Sequence, residues 1–207
     1  MREAGLATVG YFYADFRDPA KHSARGLLSS LLIQLCIQSD ELCEILHSLY
    51  LKHDHGLHQP SDDALRGCLK EMLAVPVQGP FYIIIDALDE HPNFHGLPSP
   101  REQALEVVKD LVDLGLPHLR FCITSRPEMD IKAALAHLAT HCVSLHEQIG
   151  QNKDIADYVK AIVHSDSTMR VWPEEDKRLV IDTLTENAGG MYVKTVSFLR
   201  KASHPTA

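Results

Sequence analysis

The segment that most restricts the possible folds is an unbroken apolar run over residues 81–85, which Asp86 follows directly. A short apolar run that ends in a charged residue is typical of a strand buried on both faces, and such strands belong to parallel sheets covered by helices. Segments with helical periodicity lie before and after it. This alternation of strand-like and helix-like segments predicts an α/β fold with a mainly parallel sheet.

The same patterns predict the order of elements along the chain. Strands are predicted over residues 7–12, 81–86, 119–124 and 141–145. Helices are predicted over residues 20–38, 40–52, 62–74 and from Ser99 to about Leu114, the last with a capping box and a stop at Gly115. Beyond residue 145 only amphipathic helices are predicted, over 154–163, 174–186 and 191–201. We therefore predict an α/β domain over residues 1–147 and a small helical subdomain over residues 148–207.

Charge and cysteine content limit the partners and the compartment. The 28 Asp and Glu residues outnumber 20 Lys and Arg residues, so the net charge of −8 argues against nucleic acid and anionic membranes as partners. The N-terminus has no apolar signal core, and no apolar run is long enough to span a membrane. The five cysteines include no CxxC pair and lie in apolar runs, which predicts free, buried thiols in a reducing compartment such as the cytoplasm.

The acidic end of the 81–86 strand is the first candidate site. The buried strand would fix Asp86 at the carboxyl edge of a parallel sheet, where α/β proteins bind ligands. A carboxylate at that edge can hold Mg²⁺, usually through water. Asp89 or Glu90 can then orient or deprotonate the water that attacks a γ-phosphate. This is the Walker B arrangement, and its alternative is a buried strand that ends in a solvated acidic turn.

The next predicted strand ends in Thr124, Ser125 and Arg126. If this strand neighbours the one before it, these residues would stand beside Asp86. The guanidinium fork of Arg126 matches phosphate oxygens and could report whether a γ-phosphate is present. A solvated or salt-bridged surface arginine is the other interpretation.

With these motifs, the chain resembles the NACHT-type NTPases of the STAND class, in particular the nephrocystin-like branch that is abundant in fungal receptor proteins. The matching segments are FYADFRD at 12–18, DALDE at 86–90, TSRP at 124–127 and GGM at 189–191, in the same order. The resemblance implies a P-loop ATPase or GTPase that acts in signal transduction as a nucleotide-controlled switch and oligomerises when active. It implies Mg²⁺ and ATP or GTP as cofactors.

The resemblance also implies roles for individual residues. Asp86 would hold the Mg²⁺, Asp89 and Glu90 would be the hydrolysis pair, and Arg126, with Thr124 and Ser125, would contact the nucleotide. Arg17 matches an arginine of the family that follows the second strand. An ion pair with Asp15 or Asp18 is an equally good interpretation of Arg17.

The sequence departs from the family in one important respect. No Gly-x-x-x-x-Gly-Lys-Ser/Thr loop, which would cradle the phosphates and hold Mg²⁺, occurs in these residues. We therefore interpret the chain as an N-terminally truncated domain whose missing first strand would lie between strands 119–124 and 141–145. On this interpretation the chain alone is not expected to hydrolyse or tightly bind a nucleotide. The alternative function is a non-enzymatic interaction or decoy fragment that associates with intact NACHT-like relatives.

Overall fold

A computed structural model describes residues 7–76, 79–94, 98–144 and 149–187 of the chain. The chain divides into two compact units, residues 1–140 and 141–207. The domain boundary predicted near residue 147 remains a prediction, because residues 145–148 lie outside the described ranges. Among the described helices, none combines the length and apolar content that crossing a membrane requires.

Strands and helices alternate in the first unit, and helices follow in the second. The strands are β1 (Thr8–Tyr13), β2 (Phe81–Asp86) and β3 (Leu119–Ile123). The helices of the first unit are α1 (Ala24–Cys36), α2 (Asp40–Lys52), α3 (Asp62–Ala74), α4 (Pro100–Val112) and α5 (Met129–Leu135). The described helices of the second unit are α6 (Ile149–Ser165) and α7 (Glu174–Asn187). The predicted α/β fold followed by a helical region is confirmed, and the predicted helix over 191–201 lies outside the described residues.

The three strands form one parallel sheet in the order β1-β2-β3. Tyr13 of β1 is opposite Asp86 of β2, and Ile85 is opposite Ile123 of β3. All three strands therefore end at the same edge of the sheet. This arrangement brings the segments that follow the strands together, as a parallel sheet requires.

One face of the sheet carries the core of the first unit. Phe81, Ile83 and Ile85 of β2 are fully buried with the leucines of α1. Gly10 of β1 lets α1 approach closely, because a Cβ at this position would lie 3.0 Å from Leu31. The other face of the sheet is less covered: Tyr11 and Tyr13 of β1 and Cys122 of β3 are exposed.

The two edges of the sheet differ in how their backbone groups are satisfied. At the β1 edge, the amide of Gln38 accepts from the N–H of Val9 (3.0 Å) and donates to its C=O (2.8 Å), and Gln34 makes the same pair of bonds with Tyr11 (3.1 and 2.7 Å). Gln34 of α1 and Gln38, which follows α1, thus replace a neighbouring strand. The edge is therefore closed to further pairing.

The β3 edge has no such cover in the part of the chain that the structure describes. Because Thr124 donates its N–H to Ile85 O, alternate residues of β3 face β2. The N–H and C=O groups of Phe121 and Ile123 consequently point away from the sheet. β3 is therefore an edge strand of the described sheet. After the buried Leu119, its side chains alternate between exposed and partly buried positions, because successive side chains point to opposite faces of the sheet.

Two sequence predictions need correction. Residues 141–144 of the predicted fourth strand are exposed and form no strand, and residue 145 lies outside the described ranges. A strand-like sequence alone does not make a strand, and none of the described strands pairs with these residues. The cysteines are also less buried than predicted: Cys68 is buried and Cys36 partly buried, whereas Cys43, Cys122 and Cys142 are exposed.

The second unit has its own small core. Ile155, Val159 and Val163 of α6 are buried together with Met169, and Trp172 packs against them. The apolar side chains of α6 recur at helical spacing and therefore lie on one face. None of these core residues belongs to the sheet.

Candidate functional site

The candidate site lies where β2 and β3 end. The hydroxyl of Thr124 donates to the Asp86 carboxylate and accepts from the N–H of Ala87 (3.0 Å). The C=O of Thr124 accepts from Leu88 N (3.0 Å). Thr124 therefore holds the Asp86 side chain and the backbone that follows it in one fixed arrangement.

A sharp turn at Ala87 separates Asp86 from the other carboxylates. Ala87 has a φ of 55° and a ψ of 46°, in the left-handed region that residues with a Cβ rarely adopt. A short 3-10 turn over Leu88–Glu90 follows, and Leu88 is fully buried. The left-handed residue redirects the chain so that Asp89 and Glu90 turn back toward the sheet edge. Backbone strain of this kind often occurs at functional sites.

Asp89 is bound by the segment that follows β3. Its carboxylate accepts from the backbone N–H of Arg126 at 2.9 Å and pairs with the Nε of the same residue at 3.4 Å. The Asp89 side chain is only 8% exposed, whereas that of Arg126 is 75% exposed. The arginine is therefore free to move at small cost, but the carboxylate is not.

Glu90 contacts the segment that follows β1. Its carboxylate accepts from the backbone N–H of Phe16 at 3.2 Å. Nearby, Arg17 donates three hydrogen bonds to the Asp15 carboxylate, two from its guanidinium at 2.9 and 3.1 Å and one from its backbone N–H at 3.0 Å. Arg17 and Asp15 therefore form the ion pair that was one of the two interpretations of Arg17. The hydrogen bonds from Arg17 lower the pKa of Asp15 to about 2. The three strand ends are thus linked through Asp89 and Glu90.

The sequence analysis missed Arg101, whose side chain binds the backbone of this acidic segment. Its guanidinium donates to the C=O of Asp89 (2.5 Å) and of His91 (3.1 Å), and pairs with Asp130 at 3.3 Å. Arg101 lies in the first turn of α4. The predicted capping box at the start of this helix is present, between Ser99 and Glu102. No local sequence pattern marks the contact, because its partners come from other elements.

His91 is fully buried directly behind the acidic pair. Its Nδ1 bonds the C=O of Leu88 at 3.2 Å, its ring lies against Phe12 with the centroids 5.8 Å apart, and its Nε2 has no hydrogen-bond partner. Burial lowers the pKa of His91, and Arg101 and His22 lower it further. A neutral imidazole is therefore favoured at this position.

The structure brings most of the predicted site residues to one edge of the sheet. Asp86 and Thr124 are in contact, Asp89 and Arg126 are in contact, and Ser125 is exposed beside them. Their assigned roles remain predictions. No group of three His, Cys, Asp or Glu side chains that could hold a metal ion occurs among residues 7–76, 79–94, 98–144 and 149–187.

Comparisons with known proteins give one result. No match to a curated protein or to a solved structure was found. Residues 1–126, which include all the residues of the candidate site, match the family model described as Nephrocystin 3, N-terminal. The match covers more than half of the chain, and the chain therefore belongs to the nephrocystin 3 N-terminal family.

Proposed function

We propose that this chain carries part of a nucleotide-dependent signalling switch of the NACHT or STAND type, with ATP or GTP as its ligand. The observation that carries the proposal is the contact between Asp86 and Thr124 at the ends of two neighbouring parallel strands. Ligands of α/β proteins bind at this edge of the sheet. Asp86, the Walker B aspartate of the proposal, is held there in a fixed orientation.

The side chains at this edge suit the Mg²⁺–phosphate end of a nucleotide. Mg²⁺ prefers oxygen ligands, keeps several waters, and is commonly bound through one or two carboxylates together with substrate phosphates. Asp86 supplies such a carboxylate. The described residues offer no further ligand cluster, so binding would depend on the phosphates themselves. A bound Mg²⁺ would neutralise phosphate charge beside Asp86.

Arg126 gives the proposed site a way to sense the γ-phosphate. In the present structure its charge is paired with Asp89, and its side chain is largely exposed. Because the guanidinium is largely solvated and reaches Asp89 only at 3.4 Å, a phosphate group can compete for it. When the Arg126 side chain moves to a phosphate, Asp89 keeps the hydrogen bond from the Arg126 backbone N–H, and its other carboxylate oxygen becomes available to a water molecule.

A thermal-unfolding titration with Mg²⁺–ATP and Mg²⁺–GTP tests the proposal. A ligand at about ten times its Kd stabilises the folded state by about 1.4 kcal/mol, which raises Tm by about 3–6 °C. Far-UV circular dichroism is the appropriate signal, because the single tryptophan, Trp172, belongs to the second unit. We expect a shift only at millimolar nucleotide, since no phosphate cradle is present in these residues.

Two variants separate specific binding from a general charge effect. Asp86→Asn keeps the acceptor for Thr124 but removes the charge that Mg²⁺ needs, and should abolish the shift. Asp113→Asn removes the same charge at an exposed position just after α4 and should leave the shift intact. Equal shifts in all three proteins would contradict the proposed site. Phosphate release above the buffer rate that disappears in Asp89→Ala would contradict the expected lack of turnover.

A second candidate function is supported by the β3 edge, which no other strand covers among the residues that the structure describes. On this proposal the chain is a non-enzymatic interaction fragment that pairs with intact relatives or with itself. The backbone groups of Phe121 and Ile123 point outward, and such edges readily template association. The closed β1 edge shows how this chain satisfies an edge when pairing is not needed.

Sedimentation velocity at increasing protein concentration tests this second candidate. A lysine on an edge strand disfavours pairing, so Cys122→Lys should shift the protein toward the monomer. Cys142→Lys makes the same change at an exposed residue outside the sheet and should have no effect. A wild-type protein that stays monomeric at high concentration would contradict self-association.

A further inference from the structure

Two cysteines meet at the short connection between α1 and α2. Cys36 is the last residue of α1, and Cys43 lies in the first turn of α2. Both line one shallow surface groove, together with Ile37, Gln38, Ser39 and Asp40. The tight connection therefore places the two side chains on the same small patch of surface.

Both cysteines line the same groove, at the end of α1 and in the first turn of α2. Burial, and then the neighbouring thiol of Cys43, raises the pKa of Cys36. The two thiols also differ in access to solvent, because Cys43 is exposed and Cys36 is partly buried.

A third thiol nearby has different properties. Cys68 of α3 is buried, and its pKa is raised to about 11, mainly by burial and then by the charge of Glu71. Since the thiolate is the reactive form, Cys68 is a poor nucleophile near neutral pH. The groove that Cys36 and Cys43 share does not include Cys68.

We propose that Cys36 and Cys43 are a redox-active pair that hydrogen peroxide converts into an intramolecular disulfide. The exposed Cys43 thiolate attacks one peroxide oxygen, which gives a sulfenic acid and, after proton transfer, one water. The Cys36 sulfur then attacks the sulfur of that sulfenic acid, which forms the S–S bond and releases a second water. Two thiols lose two electrons and two protons, and one peroxide becomes two waters.

The position of the pair gives the disulfide a structural consequence. Gln38 lies between the two cysteines and holds both backbone groups of Val9 at the β1 edge. A disulfide from Cys36 to Cys43 ties the end of α1 to the start of α2 and so restricts the segment that carries Gln38. Oxidation should therefore raise Tm and slow hydrogen exchange at the Val9 amide, and a reductant should reverse both effects.

Peptide mass spectrometry of the full chain after peroxide treatment tests the proposal. Trypsin leaves residues 26–52 as one peptide, because Arg25 and Lys52 flank it with no Lys or Arg between them. This peptide contains both cysteines of the pair and no other cysteine. After alkylation of free thiols, the oxidised peptide should lack both alkyl groups and have lost two hydrogens.

Single-cysteine variants provide the controls. In Cys36→Ser the oxidised Cys43 has no resolving thiol, so a sulfenic-acid reagent should trap it. Cys122→Ser and Cys68→Ser keep both cysteines of the pair and should form the disulfide as wild type does. If peroxide oxidises Cys122 or Cys142 but leaves Cys36 and Cys43 as free thiols, so that both are alkylated in the peptide, the proposal is overturned. A disulfide from Cys43 to any cysteine other than Cys36 would overturn it as well.

Discussion

Replacing Arg101 by methionine should destabilise the first unit strongly, although this arginine lies outside every motif of the sequence. Its side chain is only 12% exposed and donates to two backbone carbonyls of the acidic segment, those of Asp89 and His91. Hydrogen bonds from a charged donor contribute about 1.5–3 kcal/mol each, and the partly exposed pair with Asp130 adds about 0–1 kcal/mol. Methionine keeps the aliphatic stem but leaves both carbonyls without this donor.

The expected loss is about 3 kcal/mol, because such contributions are not fully additive and water can reach part of the site. In urea this corresponds to a midpoint lower by about 1–2 M with an unchanged m-value, measured by far-UV circular dichroism.

Arg126→Met is the matched control for this experiment. The Arg126 side chain also pairs with Asp89, but it is 75% exposed, and the hydrogen bond from the Arg126 backbone N–H to Asp89 remains in the variant, so the loss should cost at most about 1 kcal/mol. A midpoint of Arg101→Met equal to that of wild type would refute the reasoning. An equal loss in Arg126→Met would show that the difference in burial does not decide the energy of these contacts.

Three further predictions concern titration and the sheet edge. The NMR titration midpoint of Asp15 should lie near pH 2, and Arg17→Gln should return it to about 3.9. The ion pair is therefore fully formed above about pH 4 and is lost as the pH falls through 2, where the Asp15 carboxylate is protonated. Because the pKa of His91 is lowered on folding, acidification below about pH 6.5 should lower the free energy of unfolding by up to about 1.4 kcal/mol per pH unit. In urea titrations, the stability of His91→Leu should depend less on pH in this range than that of wild type. Gln38→Met should accelerate hydrogen exchange at the Val9 amide, and an unchanged rate would show that the glutamine does not protect this edge.

Elements with strong local signals could be predicted from the sequence. The short apolar run of β2, which is rich in β-branched and aromatic residues, is typical of a buried strand, and α2 and α3 begin and end where their patterns predict. The capping box at Ser99 is present because its two hydrogen bonds involve residues only three positions apart. The parallel pairing of β2 and β3 followed from the alternation of strands and helices.

Features that depend on distant residues could not be predicted. Arg101 reaches Asp89, and Glu90 reaches the backbone of Phe16, through contacts that the fold creates and no local pattern encodes. The exposure of Cys43 depends on which side of α2 faces the core, and its apolar neighbours do not determine this. Residues 141–144 have a strand-like pattern, but a strand also needs a partner, which the sequence pattern does not supply.

The most direct test of the proposed nucleotide site is an NMR titration of the isotope-labelled chain with Mg²⁺–ATP and Mg²⁺–GTP. The proposal predicts amide shift changes at residues 86–90 and 124–126, saturating at millimolar nucleotide and absent in Asp86→Asn. The matched variant Asp113→Asn should respond as wild type does. Shift changes elsewhere in the chain, changes that persist in Asp86→Asn, or none at millimolar nucleotide would contradict the assignment of this sheet edge as a nucleotide site.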